Sequence, residues 1–133
     1  LITNLAHACF IVSDLDRALQ FYVDALGMTL AFDFINDEGK RFGVYLYMGG
    51  RSFLELFAGE LGQPAKDQSF RHICLEVDDI QSTVQDLRGK GVEVSEPKLG
   101  KDRSWQAWIT DPDGNRIELH HYNPNSLQTP WLK

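Results

Sequence analysis

Cysteine is scarce: Cys9 and Cys74 are the only two in 133 residues. Two are too few for a disulfide framework in a domain of this size. Both read instead as small apolar residues buried in strands. Positive charge is also short. Thirteen Lys and Arg against nineteen Asp and Glu leave a net charge of −6, and so acidic a chain lacks the footprint of nucleic-acid binding. No apolar run approaches the roughly 20 residues that span a bilayer. No segment has the pattern of a secretory signal. The expectation is a cytoplasmic protein with neither a nucleic-acid nor a membrane partner. What is present is a globular composition, 43% hydrophobic and 24% charged, in a length that suits one ordinary domain with a real core.

The chain writes one stretch twice. His7-Ala-Cys-Phe-Ile-Val-Ser-Asp-Leu returns as His72-Ile-Cys-Leu-Glu-Val-Asp-Asp-Ile, 65 residues later. Over sixteen positions, 7–22 against 72–87, five residues are identical: His, Cys, Val, Asp and Gln. Substitutions elsewhere keep character, as with Phe10 over Leu75 and Leu15 over Ile80. A repeat of this size predicts two half-chain units of similar design.

In the first copy, residues 5–12 read as a strand, and Ser13 or Asp14 begins a helix. Ser13 with Asp16, and Asp78 with Gln81 in the second copy, have capping-box spacing. Leu15, Leu19, Tyr22 and Leu26 keep a helical period, which Gly27 ends. Strands are expected at 28–35, 42–48 and 52–58, separated by turn-rich segments. Residues 59–69 have linker composition. The second copy then predicts a strand at 70–77, a helix at 79–89, and strands near 91–95, 104–110 and 115–122. Each half is β-α-β-β-β. The tail, 123–133, holds two prolines and is expected to be irregular, with Trp131 docked on a surface. Neither half can cover its own apolar face, so the two are expected to pair, within one chain or by exchange between two.

Alternation along a strand puts His7 on one face with Cys9 and Ile11, and His72 with Cys74 and Glu76. The last strand of each half, Phe53-Leu-Glu55-Leu-Phe57 and Arg116-Ile-Glu118-Leu-His120, sets one glutamate among apolar residues. A carboxylate there is costly unless paired or bound to a metal. From His7 to Glu55 is 48 residues and from His72 to Glu118 is 46, so the repeat carries a His and a Glu together. Two readings fit the spacing. The four groups converge on one ion, or they form two buried His–Glu ion pairs without a metal. Zn, Ni, Co, Mn and Fe(II) all suit two imidazoles and two carboxylates. His120 shares a face with Glu118 and reads either as its partner in a pocket or as a plain polar strand end; His121 lies on the other face. Trp105, Trp108, Tyr45 and Tyr47 read as pocket wall or core.

The duplication, the Leu26-Gly-Met-Thr-Leu segment and the Asp111-Pro-Asp-Gly-Asn-Arg-Ile-Glu118 ending resemble the vicinal oxygen chelate superfamily. Its members include glyoxalase I, extradiol dioxygenases, fosfomycin-resistance transferases, methylmalonyl-CoA epimerase and bleomycin-binding proteins. The resemblance covers roughly residues 4–122. It implies an α+β glyoxalase-like fold in which two tandem βαβββ modules, about 4–58 and 70–122, form a half-barrel cleft. It also implies that His7, Glu55, His72 and Glu118 ligate one divalent metal ion. The intact His-Glu-His-Glu set is most similar to glyoxalase I, or lactoylglutathione lyase. That enzyme isomerises a hemithioacetal through an enediolate; its cation stabilises the developing negative charge and carboxylates move the proton. Glu55 and Glu118 are thereby assigned proton transfer as well as ligation.

The same resemblance implies a small-molecule substrate, a thiol adduct among the options, and a homodimer. Two positions depart from it. Ile11 stands where bacterial glyoxalase I has an arginine holding the glutathione carboxylate, and Gly59 stands where it has an asparagine. Lys98, Lys101 and Arg103 offer another place for an anion, or are an ordinary solvated loop. A thiol transferase, an extradiol dioxygenase and a non-catalytic binder remain the alternatives within the superfamily.

Overall fold

Side-chain alternation explains the first strand. Phe10 and Val12 of β1 (His7–Val12) turn into the core, while His7, Cys9 and Ile11 point the other way and are exposed. The computed structural model describes residues 1–63 and 66–133; Pro64 and Ala65, inside the expected linker 59–69, lie outside the described residues. The chain divides into two compact units, Leu1–Gln68 and Ser69–Lys133.

In the first unit β1 is followed by α1 (Leu15–Leu19), which runs on into a π-helical stretch, Gln20–Ala25, where the Leu26 N–H donates to Phe21 O. Gly27 ends it with φ +80°, and Met28 N–H reaches back to Tyr22 O, a left-handed stop that suits glycine. Strands β2 (Thr29–Ile35), β3 (Arg41–Gly49) and β4 (Ser52–Ala58) complete a four-stranded sheet in the order β1-β4-β3-β2. β1 and β4 run parallel, and the other neighbours run antiparallel. Leu15, Ala18 and Tyr22 of the helical segment cover Phe10, Val12, Val44, Leu46, Leu54 and Leu56 on one face of the sheet, all of them buried.

The second unit repeats the plan with β5 (Ile73–Glu76), α2 (Ile80–Gly89), β6 (Lys98–Leu99), β7 (Trp105–Thr110) and β8 (Arg116–His121), in the order β5-β8-β7-β6. Ile80, Val84 and Leu87 pack on Ala107, Ile109, Ile117 and Leu119. Among the described residues, no helix is long and apolar enough to cross a membrane.

Four local expectations are corrected. Helix caps fall one residue later than the box spacing suggests: Asp14 accepts from Arg17 N–H at 3.0 Å, and Asp79 from Ser82 N–H at 2.8 Å. With those caps the third helical positions are Arg17 and Ser82. An arginine cannot accept from the cap, so the reciprocal half of the box is absent in the first helix. Residues 91–95 form no strand; β6 lies at Lys98–Leu99 instead. Ser95 Oγ takes the Trp108 N–H at 2.8 Å, replacing a ladder bond with a side-chain bond, and Pro97 has no N–H to give.

Both cysteines are exposed, because Cys9 shares the open face of β1 with His7 and Cys74 lies on the open face of β5, two residues after His72, which precedes the strand. Trp131 is also free of the core, 81% exposed at the end of a short 3₁₀ turn, Thr129–Trp131. The tail is fastened by polar contacts instead. Ser104 Oγ donates to Ser126 Oγ at 2.8 Å, Gln128 Nε2 donates to Asp102 Oδ2 at 2.7 Å, and Asn123 Nδ2 donates to Arg103 O at 2.6 Å. The last bond steadies a non-glycine residue at φ +65°.

Candidate metal centre

Each sheet leaves one face without a helix, and each such face carries one histidine against one glutamate. In the first unit, the β1–β4 register sets His7 opposite Phe53 and Cys9 opposite Glu55. His7 Nε2 then lies 3.6 Å from Glu55 Oε1. Tyr45, opposite Glu55 on β3, brings its hydroxyl to 3.1 Å from His7 Nδ1. That contact fixes the ring so that Nε2 is the nitrogen offered to Glu55. Tyr45 itself is held by a stacked Phe32 ring 4.8 Å away and by Phe53 at 5.1 Å.

Further along the same face, Phe57 lies over Gly43. A Cβ at Gly43 would come 2.4 Å from Phe57 Cδ1 and 2.9 Å from Leu56 O, so only glycine leaves the ring its place. The Cys9 thiol is pushed up by its partial burial and further by the Glu55 carboxylate beside it.

The second unit repeats the arrangement. Cys74 faces Glu118 across β5 and β8, and Trp108 faces Glu118 across β7. His72 Nε2 is 3.7 Å from Glu118 Oε2. The indole of Trp108 takes the place of Tyr45, edge-on to His72 at 4.7 Å between ring centres, with the Arg116 guanidinium 3.9 Å over its face. Although Cys74 is exposed as a residue, the groups packed around its thiol desolvate it and push it well up, and the neighbouring Glu118 adds to this.

One further residue has no match in the first unit. His120 is buried, with Nδ1 3.6 Å from Glu118 Oε2 and Nε2 3.4 Å from Asp102 Oδ2, yet neither ring nitrogen has a hydrogen-bond partner among the described residues. The Gln128 amide holds the Asp102 carboxyl below its usual range, Ser104 N–H and the His120 ring add to this, and desolvation opposes it. His121, on the opposite face, accepts the Ile80 N–H at 3.2 Å and so helps cap α2.

The structure therefore brings His7 to Glu55 and His72 to Glu118. Tyr45 and Trp108 are placed on the open faces, whereas Trp105 alternates onto the helix face with Ala107 and Ile109. Lys98, Lys101 and Arg103 are all exposed. A signal for the aromatic partners was present in the spacing: Tyr45 precedes Glu55 by ten residues, and Trp108 precedes Glu118 by ten.

The pairs suit a divalent ion. At 3.6 and 3.7 Å they are too long for hydrogen bonds. Nitrogen and oxygen donors bonded at about 2.0–2.2 Å to one ion sit roughly 3–3.5 Å apart, and a few tenths of an ångström close the difference. The donors are imidazole nitrogen and carboxylate oxygen, the set borderline metals accept.

Known proteins share this architecture. The chain is 38% identical over 122 residues to a probable lactoylglutathione lyase of Synechocystis sp., covering 86% of this chain and 92% of that protein. It is 32% identical over 123 residues to the metallothiol transferase FosB of Staphylococcus epidermidis, covering 90% and 82%. The crystal structure of TnmS3, an antibiotic binding protein from Streptomyces sp. CB03234, superposes with a TM-score of 0.75 at 30% identity, covering 92% of this chain and 98% of that one. Residues 4–119 match a single family along both copies of the repeat. The chain belongs to the Glyoxalase/Bleomycin resistance protein/Dioxygenase superfamily.

Proposed function

We propose that the chain is a metal-dependent lyase of the lactoylglutathione lyase type, acting on a hemithioacetal or a related small oxygenated substrate. His7, Glu55, His72 and Glu118 are the proposed ligands of one divalent ion. The observation that carries this reading is the duplicated pair, 3.6 Å in one unit and 3.7 Å in the other. Similarity to a probable lactoylglutathione lyase at 38% identity supports it.

The ion, when bound, supplies Lewis-acid stabilisation of negative charge on the substrate oxygens. The chain's own groups do the rest. Glu55 and Glu118 are the proposed bases: a proton leaves one substrate carbon for a carboxylate oxygen and returns to the adjacent carbon, so the substrate isomerises with no net change in atoms. His7 is oriented by Tyr45, and His72 by the edge of Trp108. The rings of Phe32 and Phe53 hold Tyr45 in place beside the first pair.

The thiol half of the substrate is proposed to differ from glutathione. Ile11 is 45% exposed, and its Cγ2 lies 3.0 Å from where a Cβ on Gly59 would stand. The two positions that hold the peptide in bacterial glyoxalase I thus form one apolar corner here. A homodimer in the cytoplasm completes the reading; sedimentation of the purified chain and fractionation of its native cells check those two points.

A second reading, transfer of a thiol by a metallothiol transferase, rests on 32% identity to such an enzyme over 90% of the chain. One experiment separates them. The metal-loaded protein is offered hemithioacetals of several thiols, and separately a thiol with an epoxide. Isomerisation with exchange of the migrating proton supports the lyase; epoxide opening without isomerisation replaces it. Metal binding with neither reaction moves the assignment to a small-molecule binder, in line with the similarity to TnmS3.

A further inference from the structure

We propose that the second unit carries a sulfur-containing site for a thiophilic divalent cation such as zinc or cobalt, built from Cys74, Glu118 and His120. One donor atom from each lies within 4.8 Å of the other two. Metal bonds of about 2.0–2.3 Å put tetrahedral neighbours roughly 3.3–3.8 Å apart, a distance that side-chain rotation reaches. The placement follows from the ladder. Cys74 sits directly opposite Glu118, and His120 is the next residue of β8 on the same face.

His120 supplies the independent sign. Its side chain is only 8% exposed, and neither ring nitrogen is hydrogen-bonded among the described residues. A buried polar group without a partner is unfavourable, and a cation at Nδ1 relieves that. Nδ1 is the nitrogen turned to Glu118, while Nε2 faces Asp102. One nitrogen towards the ligand set and the other towards a carboxylate is the usual setting of a metal-bound histidine. Asp102 is itself fixed by Gln128 at 2.7 Å and by Ser104 N–H at 3.1 Å, so its backing is built into the loop and tail.

The first unit lacks this set. Cys9 faces Glu55 in the same register, but two residues on stands Phe57. Cys9 is therefore an internal control. On binding, Cys74 gives its thiol proton to solvent and a sulfur lone pair to the ion. Glu118 and His120 add an oxygen and a nitrogen, no electrons are transferred, and one position stays open. Thiolate plus carboxylate balance a dication, and the sulfur selects soft metals over magnesium or manganese. The set needs neither His7 nor Glu55, so it goes beyond the lyase reading, although both use Glu118.

Cobalt(II) titration of the metal-free whole chain tests it. The expected result is a near-ultraviolet thiolate-to-cobalt charge-transfer band, lost in Cys74→Ser and kept in Cys9→Ser and in the double variant His7→Ala/Glu55→Gln. In the His7→Ala/Glu55→Gln variant, which removes the proposed ligands beside Cys9, zinc should shield Cys74 from iodoacetamide while Cys9 reacts at an unchanged rate, read by peptide mass. Cobalt bound without the band, a band removed by Cys9→Ser, or equal alkylation of Cys74 with and without zinc overturns the site. Turnover of a hemithioacetal without the band sinks this site alone. The band without turnover sinks the lyase reading alone.

Discussion

Replacing Tyr45 by phenylalanine isolates a single atom. The ring keeps its stacking with Phe32 and its contact with Phe53, so packing is nearly unchanged. What is lost is the hydroxyl 3.1 Å from His7 Nδ1. When Nε2 gives its lone pair to an ion, Nδ1 carries the proton and donates it to the tyrosine oxygen. That bond holds the imidazole in the useful tautomer and orientation. Removing such a partner lowers metal affinity by about 10–100-fold, or about 1.4–2.7 kcal/mol.

The metal-free protein should scarcely notice. A neutral hydrogen bond is worth about 0.5–1.5 kcal/mol, and with His7 38% exposed water replaces the hydroxyl, so the lower end applies. Competition against a chromophoric chelator gives the affinity, and urea unfolding of the metal-free chain gives the stability. Tyr47→Phe is the control, since that hydroxyl only reaches Gly50 O at 3.3 Å. Equal metal affinity in Tyr45→Phe and wild type would refute a role for His7 Nε2 as a ligand oriented through this contact.

Further outcomes follow from the same geometry. Glu118→Gln keeps the side chain's size but removes the proposed base, and hemithioacetal turnover should fall by at least about 10²-fold in steady-state assays; near wild-type rate would rule out Glu118 as the base. Gly43→Ala drives a methyl into Phe57 and against Leu56 O, and overpacking of this kind costs about 1–3 kcal/mol, measurable as a lower urea midpoint. Asp79, whose carboxyl is held below its usual value of 3.8 mainly by the Ser82 N–H, lends α2 support that is complete above that value. The support is lost as pH falls through the lowered one, so amide exchange near the start of α2 should quicken only in strong acid, and in Asp79→Ala already at neutral pH.

Hydrophobic period made most of the fold legible. β1, β4 and β8 alternate with period two, and Leu15, Tyr22, Ile80, Val84 and Leu87 keep the helical one; in each case burial of a single face enforces the pattern. The pairs His7–Glu55 and His72–Glu118 were legible because duplication wrote them twice. Failures came where polar side chains compete with the backbone. Val92-Glu-Val94 alternates like a strand, but the segment meets β7 at Ser95, whose N–H donates to Trp108 O at 3.1 Å and whose hydroxyl takes the Trp108 N–H, and Pro97 has no N–H to continue a ladder. The cysteines misled because composition speaks of burial on average, whereas these two share a face with the histidines. His120 was seen as ambiguous for a sound reason. Its significance lies in Asp102, which faces it and is held by Gln128 and the Ser104 N–H, from a loop and a tail with no period to follow.

Gly43 and Phe57 correspond, strand for strand, to Gln106 and His120: in each unit the first precedes the glutamate by twelve residues and the second follows it by two, and each couple is adjacent across its ladder. The large ring of Phe57 fits because Gly43 beside it has no side chain. The two positions must therefore change together. Phe57→His alone would leave an imidazole beside an empty glycine shelf with no carboxylate behind it, and Gly43→Gln alone would strike the phenyl ring. The halves thus differ by a matched pair of residues at one rung of the sheet: one has a glycine beneath an aromatic floor, the other a glutamine beside a buried imidazole.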